Sequence, residues 1–296
     1  MLRPIFLMSL LFAVSITEPA RIIVLGTAQD GGVPHIGCTQ KICRTQHHPI
    51  SSMAALTDEL LLLFDATPDL REQHSELVKR YPEYQRKNLF DAVFLTHAHM
   101  GHYPGLLYFG KESISTQKVP VYCSSEMSSY LKNNAPWNLL VKNNNIELRA
   151  FESGKDITLG GVTVTPLAVP HRKEFTDTHG FLIRGRSKSL LFIPDIDSWQ
   201  PIQGSIEKWI KEADYALLDG TFYSGDELPG RDIRQVPHPT VQASISFFDA
   251  LKPFACSIYF THLNHTNPLF DPDTPQWKDF SKTNYRLATD WQEFEL

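Results

Sequence analysis

Short apolar runs that end in turn-forming or polar residues recur along the chain from Arg21 onward. Runs of this length, rich in Val, Ile, Leu and Phe, are typical of buried β-strands. We therefore predict about eleven strands, which are RIIVLG, SMAALT, LLLFDA, DAVFLT, VPVYC, IELRAF, VTVTPLAV, GFLIRG, SLLFIPD, YALLDG and CSIYFT.

Segments with apolar residues at helical spacing alternate with these runs. The predicted helices cover residues 69–80, 103–109, 124–132, 205–212 and 240–251. Hairpin-like neighbours such as 181–184 and 189–194 favour mixed sheets in layers with helices, an α+β arrangement, over one parallel wound sheet. The sequence contains no short repeat and no linker, so we predict that residues 21–296 form a single domain.

Residues 1–16, MLRPIFLMSLLFAVSI, place Arg3 before a mostly apolar run of about ten residues. Such a run is too short to span a bilayer comfortably and matches a secretory signal in length and polarity. We expect residues 1–20 to be a signal peptide and the protein to be exported; a buried N-terminal element, in a cytoplasmic protein, is the alternative. Mass spectrometry of protein from its native source would find a start between Ser15 and Arg21 if the segment is removed.

The composition restricts the classes of partner. The chain carries a net charge of −5 and has no basic run, whereas nucleic-acid surfaces need clustered Lys and Arg. No segment beyond the N-terminus approaches transmembrane length, so stable membrane insertion is not expected. A small-molecule substrate is the expected partner, and the oligomeric state is left open.

Potential metal ligands follow the predicted strands at their ends. Five side chains each stand just past an apolar run, namely Asp65, His97, His171, Asp195 and His262. If these strands share one core, their ends can converge at one edge of the sheets, where ligand sites are commonly built. Each residue alone has an ordinary structural explanation, but the five together indicate a site.

The stretch THAHMGH adds a cluster of three histidines, His97, His99 and His102. In an extended segment His97 and His99 point to the same side, and His102 at the start of the 103–109 helix can turn back toward them. Neutral imidazoles suit Zn²⁺ and also Fe or Mn, and three of them around an open position make a hydrolytic metal site.

This stretch resembles the H-x-H-x-D-H metal-binding motif of the metallo-β-lactamase fold. The resemblance implies an αβ/βα sandwich of two mixed sheets flanked by helices, with a metal site at one sheet edge holding one or two zinc ions. It also implies the ligands His97, His99, His102, His171, Asp195 and His262, with Asp65 at the position of the family's early strand-end Asp.

Further segments are similar to one branch, the pyrroloquinoline quinone biosynthesis protein B family and its relatives such as phosphoribosyl cyclic phosphodiesterase. These segments are VLGTAQDGGVPHIGC, SSMAAL, LLDGTFYSGDE and THLNHTNPLF. The fold hosts many chemistries, so this likeness leaves the substrate open.

Two features depart from the family pattern. Gly101 replaces the Asp that ligates the second metal in the family, and Asp30 in the TAQDGG loop is our candidate replacement, although Asp-Gly-Gly is also an ordinary turn signal. The related phosphodiesterases hold a structural zinc in a Cys-rich loop. Here only Cys38 and Cys43 remain, near His35, His47 and His48, so a structural zinc, a disulfide and free thiols all stay open.

The leading hypothesis is a metal-dependent hydrolase that acts on a small ester, lactone or phosphodiester, with Asp195 and Asp30 orienting the water. An iron-dependent oxidative enzyme of quinone-cofactor biosynthesis and a non-catalytic exported metal-binding protein are the alternatives. Asp219, Tyr223, Asp226 and His238 are further candidates for lining a pocket, with a structural role equally open.

Overall fold

The computed structural model describes residues 18–227 and 236–296. Residues 1–17 of the predicted signal peptide therefore lie outside the described residues. Within the two described ranges the chain forms two seven-stranded sheets that pack face to face.

The first sheet contains the N-terminal half of the chain and one C-terminal strand. In spatial order its strands are β14 (Glu293–Glu295), β1 (Arg21–Gly26), β2 (Ser52–Leu56), β3 (Leu61–Phe64), β4 (Ala92–Phe94), β5 (Val119–Cys123) and β6 (Ile146–Ala150). Strands β3 to β6 pair in parallel, and the remaining pairs are antiparallel.

The second sheet repeats this pattern of pairing. Its strands are β7 (Ile157–Leu159), β8 (Val162–Val169), β9 (Thr178–Arg184), β10 (Ser189–Ile193), β11 (Tyr215–Asp219), β12 (Ser257–Thr261) and β13 (Arg286–Leu287). Strands β10 to β13 are parallel, and β7 to β10 are antiparallel. Each sheet thus has three antiparallel pairs followed by three parallel pairs, and the molecule has a pseudo-twofold arrangement of strands.

Helices cover the outer face of each sheet. The α-helices are α1 (Lys41–Thr45), α2 (Leu70–Arg80), α3 (Ser125–Asn133), α4 (Trp137–Lys142), α5 (Gln203–Glu212), α6 (Val241–Leu251) and α7 (Pro275–Phe280). The predicted starts at Ser124 and Thr240 are N-caps, since each hydroxyl accepts a hydrogen bond from a backbone N–H three residues on. The predicted helix at 103–109 is a 3₁₀ segment, Pro104–Phe109.

Three buried clusters divide the molecule into four layers. Side chains such as Val24, Phe64 and Phe192 fill the space between the sheets, while their neighbours along each strand, such as Ile23 and Leu191, face the helices. Both faces of most strands are therefore buried, which explains why the strand sequences are continuous apolar runs without polar alternation. The mixed-sheet arrangement expected from the sequence is confirmed.

The observed elements also include several that were not predicted. Strands β7, β13 and β14 and helices α1, α4 and α7 span two to six residues each, too few to show a period. No helix within residues 18–227 and 236–296 has the length and apolar character needed to cross a bilayer.

Candidate metal centre

The ends of the parallel strands bring the predicted ligands together at one edge of the two sheets. Asp65 follows β3, His97 lies beyond β4, Asp195 follows β10 and His262 follows β12, and each is almost fully buried. The carboxyl ends of parallel neighbours meet at the same edge, so residues far apart in sequence share one small volume.

The first subsite consists of His97, His99, His171 and Asp195. One ligand atom from each lies within 4.8 Å of the others. The Asp195 Oδ2 atom is 3.0 Å from His171 Nε2, 3.4 Å from His97 Nε2 and 3.9 Å from His99 Nδ1. The sequence predicted all four residues, and the structure brings all four together.

The second subsite consists of Asp30, His102 and His262, whose ligand atoms are also within 4.8 Å of one another. A single oxygen, Asp30 Oδ1, lies 3.3 Å from both His102 Nε2 and His262 Nε2. Asp195 Oδ2 is 3.9 Å from His102 Nε2, so the Asp195 carboxylate lies between the two subsites.

Acidic side chains hold two imidazoles of the first subsite from behind. The Nδ1 atom of His171 is 2.7 Å from Asp197 Oδ1, and the Nε2 atom of His99 is 2.9 Å from Glu174 Oε2. A carboxylate accepts the ring N–H, which leaves the lone pair of the other nitrogen directed at the site. Sequence analysis did not identify Asp197 or Glu174, because neither stands at a strand end.

Asp65 supports one imidazole in each subsite. Its Oδ2 atom is 2.7 Å from Nδ1 of His102, and both oxygens accept the Thr96 hydroxyl at 2.9 and 3.0 Å. That hydroxyl is 3.0 Å from Nδ1 of His97 and therefore accepts its N–H. Asp65, which the sequence identified by its place at a strand end, thus lies behind the candidate ligands and orients them.

Asp219 provides the same kind of support in the second sheet. It accepts the Thr221 hydroxyl at 2.8 Å, and this hydroxyl lies 3.0 Å from Nδ1 of His262. The Oδ2 atom of Asp219 also lies 2.8 Å from Nδ1 of His238. Asp219, Asp195 and His262 could also share an ion, but both Asp219 oxygens already accept hydrogen bonds, which assigns Asp219 to orientation.

His238 is the main functional candidate whose place the sequence left open. Its ring is buried, and Nδ1 is 3.3 Å from Asp195 Oδ1. Of the other pocket candidates, Tyr223 is buried in the core beneath the second sheet and Asp226 is exposed on a turn. Only Asp219 and His238 reach the centre.

The charges of the centre are strongly coupled. Burial and the neighbouring His102 keep the pKa of His97 well below its usual value. Burial also opposes the charged form of His102, but Asp65 and Asp30 outweigh it and raise its pKa well above the usual value. Burial would raise the pKa of Asp195, yet His171 and His238 hold it well below its ordinary range.

The donor set fits a metal ion. Among the described residues, the buried atoms without a hydrogen-bond partner include Nε2 of His97, Nε2 of His102 and Oδ1 of Asp195. Unpaired buried polar atoms are costly and rare in folded proteins, and several in one place need an explanation. A cation that takes imidazole and carboxylate ligands satisfies them together.

Among the described residues, the structure gathers no set of zinc ligands around Cys38 and Cys43. Both thiols are free, and burial together with the hydrogen bond between Cys43 and Cys38 raises the pKa of Cys43. Within residues 18–227 and 236–296, neither thiol belongs to a group of three ligand-type side chains close enough to share an ion. The rings of His47 and His48 pair instead with acidic side chains elsewhere.

Comparisons with known proteins agree with this architecture. A family model described as "Beta-lactamase superfamily domain" matches residues 61–263. The coenzyme PQQ synthesis protein B of Methylococcus capsulatus is 26% identical, over 92% of this chain and 99% of its own length.

Two solved structures show the same fold. The Zn²⁺-bound PqqB from Methylobacterium extorquens has a TM-score of 0.79 at 22% identity, covering 93% of this chain and 100% of that chain. A diphosphatase from the PhnP family has a TM-score of 0.65 at 24% identity, covering 95% of this chain and 98% of that chain. The expected sandwich of two mixed sheets flanked by helices is confirmed.

Proposed function

The chain belongs to the β-lactamase superfamily and is similar to the coenzyme PQQ synthesis protein B branch, and from this premise we propose that it is a metal-dependent hydrolase. We propose zinc as the metal and a small ester, lactone or phosphodiester as the substrate. The observation that carries the proposal is the Asp195 carboxylate, which is buried within 4 Å of nitrogen atoms from His97, His99, His102 and His171.

When bound, zinc lowers the pKa of water to about 7 and polarises an ester or phosphoryl oxygen. The chain's own contribution begins with Asp195 and Asp30, whose carboxylates face the same volume and accept hydrogen bonds from the attacking water. Both are kept ionised, because neighbouring imidazoles hold their pKa values well below the ordinary range against the effect of burial. Ionised carboxylates accept hydrogen bonds and do not donate them, which orients the water.

His238 is placed to give a proton to the leaving group. Its Nδ1 atom is held by Asp219, while Nε2 is buried and has no hydrogen-bond partner among the described residues. Burial opposes the charged ring, but Asp219 and Asp195 outweigh it and raise its pKa. A charged imidazole with one free N–H is the form that a general acid requires.

The first experiment tests metal dependence and hydrolysis together. Zinc-reconstituted protein should hydrolyse members of a panel of p-nitrophenyl esters, lactones and bis-p-nitrophenyl phosphate, and chelation should remove the activity. The His97→Ala/His99→Ala variant should lose first-subsite zinc and at least about 10³-fold in rate, or about 4 kcal/mol. The exposed His47 provides a control, since the His47→Ala variant should keep both its first-subsite zinc and its rate. Full zinc retention in the double variant would contradict the assignment.

A second candidate function is an iron-dependent oxidative enzyme. It is favoured by one observation, which is that the relative from Methylococcus capsulatus is named for synthesis of coenzyme PQQ. Protein purified with bound iron, together with substrate-dependent oxygen consumption, would support this function over hydrolysis. Zinc content with oxygen-independent product formation would support the hydrolase.

A further inference from the structure

Position 101 is where the H-x-H-x-D-H motif has its carboxylate, and here it is glycine. The structure shows what occupies the space beside it. A Cβ atom built on Gly101 would lie 2.1 Å from Asp30 Oδ1 and 2.9 Å from Asp30 Cγ. Non-bonded heavy atoms do not approach this closely, since carbon atoms in contact are normally about 3.5–4.0 Å apart. Any side chain at position 101 must therefore displace the Asp30 carboxylate.

The Asp30 carboxylate faces the second subsite. Its Oδ1 atom contacts Nε2 of His102 and Nε2 of His262 at the same distance, 3.3 Å. The Nε2 atom of His102 has no hydrogen-bond partner within the described ranges. The side chain of Asp30 is only 14% exposed, so its charge is directed at these two imidazoles and little of it reaches solvent.

Backbone hydrogen bonds hold Asp30 in this place. Gln29 N–H donates to the Leu263 carbonyl at 2.9 Å, and Leu263 N–H donates to the Thr27 carbonyl at 2.9 Å. The residue before Asp30 is thus tied directly to the residue after His262. A loop anchored in this way delivers a side chain with the accuracy that a metal ligand needs.

The pseudo-twofold arrangement of the sheets gives an independent reason. Strand β1 lies second from the edge of the first sheet, and β8 lies second from the edge of the second sheet. The loop after β8 carries His171, which contributes to the first subsite, and the loop after β1 carries Asp30. The two corresponding loops therefore each bring one ligand-type side chain to the centre.

We propose that Asp30 supplies the carboxylate ligand of the second metal subsite, and that Gly101 is required because only a residue without a side chain leaves room for it. The ligand has moved from the histidine motif to the loop after β1, and the two positions are coupled. This inference rests on the proposed function only in that a metal occupies the second subsite.

The test is a set of five proteins, the wild type and four variants, whose zinc is counted by elemental analysis and titrated against a chromophoric chelator. Wild type should bind two zinc ions. Asp30→Asn removes the charge, and Gly101→Ala removes no ligand but pushes the carboxylate aside. Each should weaken the second zinc by at least about 10-fold, the low end of what support residues alone contribute. The exchange variant Asp30→Ala/Gly101→Asp should bind the second zinc more tightly than Asp30→Ala.

Two matched controls separate this effect from general damage. Gly204 lies in α5 with nothing within 4 Å of an added Cβ, and Asp58 is an exposed turn residue, so Gly204→Ala and Asp58→Asn should bind zinc as wild type does. Retention of the first zinc in every variant reports that the fold is intact.

Three results would overturn the inference. These are a wild type that binds a single zinc, an Asp30→Asn or Gly101→Ala variant with unchanged affinity for the second zinc, and an exchange variant that binds no better than Asp30→Ala. The readout is metal binding, so it is independent of turnover. If no substrate is hydrolysed while zinc binding follows the expected order, the proposed hydrolase fails and this inference stands.

Discussion

Asp65 in the first sheet and Asp219 in the second perform the same task, and their hydrogen-bond partners are of the same kinds. Each carboxylate accepts a threonine hydroxyl, which holds Nδ1 of one histidine, and each contacts Nδ1 of a second histidine directly. We call these groups the Asp65 hub, with Thr96, His97 and His102, and the Asp219 hub, with Thr221, His262 and His238.

The two hubs differ in what their histidines do. Both histidines of the Asp65 hub are metal-ligand candidates, one in each subsite. In the Asp219 hub only His262 joins a ligand group, while His238 contacts Asp195 and offers a free N–H to the site. In our proposal, the same arrangement of carboxylate, hydroxyl and imidazole therefore supports only metal ligands in the first sheet, and both a metal ligand and a proton donor in the second.

The hubs are also assembled differently along the chain. Thr96 is adjacent to the histidine it supports, beyond β4, whereas Thr221 lies two residues after its carboxylate, which is the last residue of β11. Asp65 and His262 both adopt the left-handed backbone region, with φ of 63° and 61°. Side chains other than glycine occupy this region at a cost, and such residues often cluster at functional sites.

The largest difference is expected from neutralising the two carboxylates in turn. Asp65→Asn loosens one ligand of each subsite, so the affinities of both zinc ions should fall by about 10–100-fold. Asp219→Asn should weaken only the second zinc by that factor, because His97 does not depend on it. Chelator competition at equal protein concentration measures the affinities of both zinc ions in each variant. Equal losses at both subsites in the two variants would remove the distinction between the hubs.

A comparable but selective loss is expected when His238 is replaced. His238→Gln should lower the rate by about 10²-fold for alkoxide leaving groups and much less for p-nitrophenolate, which leaves without a proton. Zinc content should stay at the wild-type value. Measuring kcat for a matched pair of methyl and p-nitrophenyl esters or phosphodiesters decides this. A uniform loss for both leaving groups would assign His238 a purely structural part.

A smaller effect is expected from the threonines. Thr96→Val and Thr221→Val each remove one hydroxyl that accepts an imidazole N–H, at nearly constant volume. Each should weaken zinc at its own subsite by about 10-fold, the first subsite for Thr96 and the second for Thr221. Titration of both ions in both variants tests the assignment of each threonine, and loss at the opposite subsite would contradict it.

The smallest expected effect is the pH dependence of the metal-free protein. Burial opposes the charged form of His171, but Asp195 and Asp197 raise its pKa to about 9, and the pKa values of His102 and His238 are raised as well. A raised pKa stabilises the fold fully below the ordinary value of about 6.5. For His171 this contribution is lost as the pH rises from there toward about 9.

Metal-free protein should therefore melt a few degrees lower at pH 9 than at pH 6.5, at roughly 2 °C per kcal/mol for a chain of this size. The melting temperature of the zinc-loaded protein should not fall over this interval. Zinc binds neutral imidazole, so its binding is favoured as the ligands lose protons. Thermal unfolding of both forms at the two pH values measures the difference. A metal-free protein whose Tm rises over this interval would contradict the pKa directions.

The sequence by itself determined most strands of the two sheets and most of the candidate ligands. Continuous apolar runs identify strands buried on both faces, and a polar residue at the end of such a run, as at Asp65, His97 or Asp195, lies at the sheet edge where sites form. The spacing of THAHMGH was sufficient to predict that its three histidines meet. These signals are local, because they depend on a few neighbouring residues and on the period of the strand.

Only the tertiary structure decided the relations between distant residues. Asp30 and His262 are separated by 232 positions. The sequence offered Asp30 only as a candidate replacement, and the close approach of its carboxylate to Gly101 depends on how two distant loops pack. The contact of His238 with Asp195 depends in the same way on how the sheets pack. So does the chain of hydrogen bonds that joins Asp219 through Thr221 to His262. The short strands β7, β13 and β14 exist because neighbouring strands complete their hydrogen bonds, and a segment of two or three residues contains no period from which it could be predicted.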